Sequence, residues 1–134
     1  MIKRRRRGAA LVKTQKGILV VAWKDKSLGF MIPGGGANFF ETRKKAAIRE
    51  LEEETGLKTI SAKYLFKFKG PIFKNKQGKW KRNYSKVFLV KAEGKPRPKN
   101  EVKHIAYWKP KSKIKLMKGA QMLLDIYKKK FMKE

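Results

Sequence analysis

The chain has no cysteine and a single histidine. Without cysteine there is no disulfide framework, no thiolate metal site and no cysteine nucleophile. The redox compartment is left open, and a cytoplasmic setting is the default expectation. No uninterrupted apolar run approaches the roughly 20 residues needed to span a bilayer. The apolar stretch 8–12 that follows the basic start 1–7 is broken at Lys13, too soon for a signal peptide. A chain of 134 residues has room for one core. One domain over 1–134 is therefore expected, with 1–7 a basic, flexible start.

Acidic residues are also scarce. Ten Asp plus Glu stand against 37 Lys plus Arg, a net charge of +27. Half of the acids (Glu41, Glu50, Glu52, Glu53 and Glu54) fall in 41–56, where the four bases Arg43, Lys44, Lys45 and Arg49 leave a local charge of −1 and +28 elsewhere. A positive field of this size draws in phosphate-bearing partners. It also favours nucleic acid at low salt, because Lys and Arg release counterions condensed on the polymer. An acidic island in such a chain implies a local need for negative charge.

Residues 9–12 and 18–23 are short and aliphatic, which predicts two neighbouring strands joined by a turn at 14–17. A third short strand, 30–32, is ended by Pro33-Gly34-Gly35-Gly36. Helix formers run from Thr42 to Thr55, with Gly56 placed as a C-terminal cap and Ala47, Ile48, Leu51 and Thr55 on one side. Alternation over 60–69 predicts a half-buried strand with Tyr64, Phe66 and Phe68 on one face. Residues 75–78 suit a hairpin turn before Trp80 and an apolar strand at 87–90. Pro96 and Pro98 make 94–100 a loop, and 104–108 is another strand. Ala120, Leu123, Leu124, Tyr127 and Phe131 recur at helical spacing, predicting a C-terminal amphipathic helix. The fold class expected is α/β or α+β, a mixed β-sheet sandwiched between α-helices.

Glu50, Glu53 and Glu54 stand at i, i+3 and i+4 on the predicted helix, so their carboxylates leave one side of it, next to the apolar stripe. Crowded anions beside a core repel one another, and a hard divalent cation with oxygen ligands removes the conflict. Arg49 is placed to pair with one of these carboxylates or with Glu41. Gly34, Gly35 and Gly36 form a loop without side chains just before the helix, where a backbone carbonyl can approach a metal or an N–H an anion. The plain alternative is a solvated Glu-rich helix surface. The scarcity of acids elsewhere argues against it.

Gly35, Glu41, Arg49, Glu50, Leu51, Glu53, Glu54, Gly56 and Leu57 match the pattern Gx5Ex7REUxEExGU (U aliphatic) at every specified position. The segment resembles the Nudix box, and the order of elements around it is similar to the Nudix (MutT-like) hydrolase fold over nearly the whole chain. The resemblance implies Mg2+- or Mn2+-dependent hydrolysis of a nucleoside diphosphate linked to another moiety, such as a modified nucleoside triphosphate or an ADP-ribose-like molecule. It implies Glu53 and Glu54 as principal metal ligands, Glu50 as a further ligand or the base that activates water, and the Gly34 carbonyl as another ligand. Arg49 and Glu41 would form an orienting ion pair. A carboxylate from a later loop often joins such sites; Glu101 is the candidate, with Glu93 in reserve.

Two positions depart from the family's habit. Phe40, preceded by Phe39, stands where glycine is common before the first box glutamate. Trp23, followed by Lys24, stands where many relatives carry a phosphate-contacting arginine. Trp23, Lys24, Phe66 and Phe68 are the candidate substrate-binding residues. Pro71 falls near where ADP-ribose-cleaving relatives place a proline, and His104 is assigned no role.

Residues 4–7 could grip polyphosphate or RNA, but a solvated basic start is the reading favoured. Residues 63–84 interleave Lys and Arg with aromatics, which suits stacked bases as well as core packing. Two alternatives to small-nucleotide hydrolysis follow from the charge. One is trimming of RNA 5′ ends, including a decapping-type activity; the other is a noncatalytic RNA-binding module. The expected partners are a nucleotide-like small molecule and RNA, with no membrane, the protein being a monomer or homodimer.

Overall fold

The structure, a computed structural model, describes residues 1–132. In chain order it contains β1 (Lys3–Leu11), β2 (Lys13–Thr14), β3 (Gly17–Ala22), a short 3-10 turn (Lys26–Leu28), β4 (Gly34–Gly36), α1 (Arg43–Thr55), β5 (Lys58–Lys74), β6 (Trp80–Glu93), β7 (His104–Trp108) and α2 (Lys118–Phe131). The strands form two sheets, one four-stranded in the order β4-β1-β6-β5 and one three-stranded in the order β2-β3-β7. In the larger sheet β1 runs parallel to β6 and antiparallel to β4. No helix among the described residues is long and apolar enough to cross a membrane.

Alternation along the strands divides the core in two. Ala9, Leu11, Ile18, Val20 and Val87 face α2, whose Ala120, Leu123, Leu124 and Tyr127 are buried against them. Ala10, Leu19, Phe88 and Val90 face α1 and its Ala47 and Leu51. Both helices therefore sandwich the sheets, as the spacing of their apolar residues predicts. On α1 the fully buried residues include Ala46 along with Ala47, Leu51 and Thr55, while Ile48 is only half-buried. The ends of α1 follow local chemistry: the Thr42 side chain accepts from the Lys45 N–H at 3.1 Å, and Gly56 closes the helix in the left-handed region. Gly8 lets the helix lie directly on β1, because a Cβ there would strike the backbone of Arg43 and come within 2.8 Å of the Ala47 nitrogen.

Four expectations are corrected by strand pairing. The basic start is not a flexible run: residues 3–7 are part of β1, in register with Lys81–Ser85 of β6. The strand that contains 9–11 (β1) and the one that contains 18–22 (β3) belong to different sheets, and the hairpin at 14–17 joins β3 to β2 (Lys13–Thr14) instead. Gly34–Gly36, read as a strand breaker, is itself the edge strand β4, whereas Phe30 and Met31 make only isolated bridges. Finally, Tyr64 and Phe66 do not share a face. A bulge between them pairs Tyr64 with Phe88 on the α1 side and Phe66 with Val87 on the α2 side. The strand 104–108, the turn near 75–78 and the C-terminal helix lie where the sequence places them.

Candidate active site

The acidic island occupies the second half of α1, where the helix passes over β4. Loop residues after β6 hold this end of the helix. The Arg97 and Lys99 N–H groups donate to the carbonyls of Thr55 and Glu54 at 2.9 and 3.1 Å, and Asn100 Nδ2 donates to that of Glu53 at 3.1 Å. These bonds satisfy helix carbonyls that have no partner within the helix. They also bring exposed Glu101 close enough for its charge to act on Glu54. Glu93 lies at the far end of β6, paired in register with Lys58.

Arg49 organises the outer side of the cluster. Its guanidinium makes a two-pronged contact with Glu41, Nε to Oε2 at 2.8 Å and Nη2 to Oε1 at 2.9 Å. The same group reaches the Gly36 carbonyl at 3.1 Å, Glu50 Oε1 at 3.2 Å and Glu53 Oε1 at 3.3 Å. Glu41 accepts a further bond from the Asn38 N–H, and together these contacts, Arg49 first, depress its pKa to about 2. The fork geometry suits arginine specifically. Beside this pair a cavity of about 620 Å³ is lined by Glu41, Arg49, Glu53, Lys99 and Asn100. Phe39 and Phe40, on the loop before Glu41, are almost wholly exposed and meet edge to face at 4.5 Å.

Glu50 and Glu54 face inward instead. The Glu50 carboxyl lies over Gly35, filling the volume that a Cβ on that residue would need. Glu54 Oε1 accepts from the Gly34 N–H at 3.1 Å. Burial, and then the charge of Glu50, raise the Glu54 pKa to about 8 against the Gly34 N–H and Arg7, which pull it down. Glu50 is raised mainly by burial, partly offset by Arg49.

Two arginines on β1 complete the inner side, and sequence reasoning did not separate them from the basic start. Arg5 and Arg7 both point to the α2 side of the sheet, the signal being their i, i+2 spacing on a strand. Arg7 is half-buried and donates to the Ile32 carbonyl at 3.2 Å. Burial, followed by repulsion from Arg5, lowers its pKa to about 10, while the charges of Glu54 and Glu50 act in the opposite sense. Arg5 donates to Asn83 Oδ1 at 3.1 Å and feels the charge of Glu50. Among the described residues no carboxylate lies within ion-pair distance of either guanidinium.

The remaining candidates fall in different places. Phe66 is buried in the α2-side core, stacked on Phe131 at 5.9 Å, so it does not present a face to a ligand. Phe68 is half-buried against the same core. Trp23 is exposed at the end of β3, with Lys24 beside it, and the Lys24 carbonyl lies 3.2 Å from His104 Nε2. No hydrogen bond or ion pair among the described residues joins Trp23 or Lys24 to the glutamates.

The donor set suits a divalent cation. All its side-chain donors are carboxylate oxygens, the type that Mg2+ and Mn2+ prefer. Two of these carboxylates, Glu50 and Glu54, are held partly desolvated at raised pKa, a conflict that a bound cation relieves. In the conformation described no three such groups converge to ligating distance. Glu53 and Glu50 both rest on Arg49 Nη1, at 3.3 and 3.2 Å.

Comparison with known proteins agrees with this geometry. The NUDIX domain profile matches residues 3–129. A protein assigned to the nudix hydrolase family from Chromobacterium violaceum is 35% identical, with a TM-score of 0.79 over 95% of this chain and 78% of that one. A MutT NUDIX hydrolase from Burkholderia pseudomallei is 19% identical, with a TM-score of 0.70 over 92% of this chain and 97% of that one. A bifunctional NMN adenylyltransferase/ADP ribose pyrophosphatase from Francisella tularensis, solved with AMP and a Mn ion, is 18% identical, with a TM-score of 0.63 over 96% of this chain and 42% of that one. Comparison with curated protein sequences gives no significant match. The protein belongs to the Nudix family and is a Nudix hydrolase, a family that generally depends on divalent metal.

Proposed function

We propose that the protein, as a single Nudix domain, hydrolyses the diphosphate linkage of a nucleotide-like substrate, a nucleoside diphosphate carrying a further group, with Mg2+ or Mn2+. The observation that carries this reading is the facing of two charge sets: the partly desolvated carboxylates Glu50 and Glu54, and the guanidinium groups of Arg5 and Arg7, which have no carboxylate partner among the described residues. A cation held by Glu50, Glu53 and Glu54 would supply charge neutralisation at the diphosphate and lower the pKa of attacking water. Arg7 and Arg5 then bind the nonbridging phosphate oxygens, which restores an anionic partner to a desolvated cation. Glu50 or Glu101 accepts the proton of the attacking water. Arg49, fixed by Glu41, holds the carboxylates of Glu50 and Glu53 in place. Phe68, and Trp23 with Lys24 farther out, are the side chains available for the base and leaving group. In-line displacement at phosphorus relies on this positioning more than on covalent chemistry.

AMP and Mn in the Francisella relative support a ligand of this class. A panel of nucleoside triphosphates and nucleoside diphosphate sugars, assayed with and without Mg2+ or Mn2+, tests the proposal. Cation-stimulated release of a nucleoside monophosphate is expected, and Glu54→Gln should lower it by about 10²-fold or more while the protein stays folded. No cation-stimulated turnover on any member of the panel overturns the reading.

A further inference from the structure

The larger sheet has a second surface that hydrolysis does not use. Helix α1 covers the α1-side face around Ala10, Phe88 and Val90, and its first turn reaches the level of Tyr84, whose carbonyl accepts from Arg43 Nη1 at 3.2 Å. Beyond that level β1, β5 and β6 continue along Lys3–Arg7, Lys67–Lys74 and Trp80–Lys86; on this side Arg4, Arg6, Lys67, Lys69, Ile72, Lys74 and Trp80 are exposed, while α2 packs on the other, with Gly119 beside Pro71. Strand register determines which side chains share this outer face. Arg4 is in register with Arg82 and Arg6 with Tyr84; Lys67 pairs with Lys86, Lys69 with Tyr84, Ile72 with Arg82 and Lys74 with Trp80. Paired residues lie on the same side of a sheet, and alternate residues of β6 return to it. Tyr64, opposite Phe88, borders the same face.

This face therefore carries Arg4, Arg6, Lys67, Lys69, Lys74, Arg82 and Lys86 around Tyr64, Tyr84 and Trp80, and no acid occupies any of its register positions. Tyr64 and Trp80 are 48% and 50% exposed, large fractions for aromatic side chains on a sheet. The cations are arranged about the rings. Arg4 lies 4.9 Å and Lys69 5.9 Å from the centre of Tyr84, Lys86 5.8 Å from that of Tyr64, and Lys74 5.7 Å from that of Trp80.

We propose that this face, formed by β1, β5 and β6 beyond the first turn of α1, binds single-stranded nucleic acid. Exposed rings on a flat sheet offer stacking platforms for bases, and the cations between them follow the phosphates. An acidic protein surface would use the charge but leave the aromatic faces without a counterpart. A duplex keeps its bases stacked on one another and presents none to the rings. The surface meets the rim of the acidic island at Arg6, whose Nη2 donates to the Glu41 carbonyl at 3.2 Å, but it carries no carboxylate of its own, so binding does not require a divalent cation.

The test is fluorescence anisotropy of the full chain with a labelled oligouridylate and a labelled oligothymidylate, in EDTA, over a salt series. Heparin and a duplex of equal charge serve as competitors. Trp80→Ala and Tyr64→Ala, checked for unchanged circular dichroism and hydrolase activity, should each weaken single-strand binding about tenfold. Lys67→Ala with Lys69→Ala should reduce the steepness of log K against log salt by about 1.4, the value for two phosphate contacts on a single strand. Removing the charges of Lys128, Lys129 and Lys130 on α2 should change affinity much less. The oligouridylate and oligothymidylate arms show whether RNA or DNA is preferred, and either preference is consistent with the proposal. It is overturned if the aromatic variants bind like the unaltered protein, if the α2 substitutions cost as much as those on the face, or if heparin and duplex compete as well as the single strand.

Discussion

Replacing Gly35 with alanine tests the site through one methyl group. Gly35 has no positive φ, so alanine meets no backbone penalty and its effect comes from contact alone. The new Cβ would overlap the Glu50 carboxyl oxygen and stand 2.5 Å from Cδ and 2.8 Å from Cγ. Carbon atoms settle about 3.5 Å apart or more, so the end of the Glu50 side chain has to move by about 1 Å. The fold absorbs this cheaply. One side chain pushed off its rotamer costs about 1 kcal/mol, equivalent to a fall in Tm of about 4 °C for a chain of this size. Catalysis is far less tolerant, because a misplacement of about 1 Å in a reacting constellation costs on the order of 10²-fold in rate. Cation-dependent hydrolysis by Gly35→Ala should therefore fall about 100-fold with little loss of Tm. In a Glu50→Gln background the same substitution should add almost nothing, since both changes act on one carboxylate. Turnover by Gly35→Ala within about threefold of the unaltered protein, or full additivity with Glu50→Gln, would refute a role for the placement of Glu50.

Arg49→Lys keeps the charge but loses the fork on Glu41, so kcat should drop by about tenfold or more, and Glu41→Gln should give a similar, nonadditive loss; a fully active lysine variant would contradict the orienting role. Arg7→Gln should raise KM by about tenfold with kcat nearly unchanged, and Arg7→Met should raise Tm because it removes a half-buried cation that has no carboxylate partner among the described residues. An unchanged KM would remove Arg7 from substrate binding. With the Glu54 pKa raised from 4.5 to about 8, its ionisation opposes folding. In EDTA this contribution is intact below about pH 4.5 and is lost as pH rises toward 8, so Tm should decline across that window, less steeply in Glu54→Gln. Because a ligating carboxylate must be ionised, Mn2+ titrated at pH 7 should release a proton, measurable by calorimetry in buffers of different ionisation enthalpy. A Tm independent of pH together with no proton release would show that Glu54 is not held protonated.

The helix that carries the glutamates was legible because its signals are local. Thr42 and Gly56 are caps that act within one turn, and the spacing of Glu50, Glu53 and Glu54 on a helix follows from 3.6 residues per turn. The same holds for α2, whose apolar stripe reads directly as a buried side. Phe66 went partly astray because alternation assumes an unbroken strand, and the bulge after Tyr64 reverses the faces without any mark in composition.

What the amino-acid order determined by itself was the Nudix box and its helix, the C-terminal helix and the isolation of acidic charge in a basic chain. What only the tertiary structure decided was which strand lies beside which. The pairing of 3–7 with 81–85 turned a run of arginines into two opposed sets: Arg5 and Arg7 beside the glutamates, Arg4 and Arg6 on the basic, aromatic face. Strand partners are chosen by contacts between residues far apart in the chain, and a shift of one residue exchanges every side chain between faces. Local pattern therefore predicts that arginines are present, but not which of them meet the carboxylates.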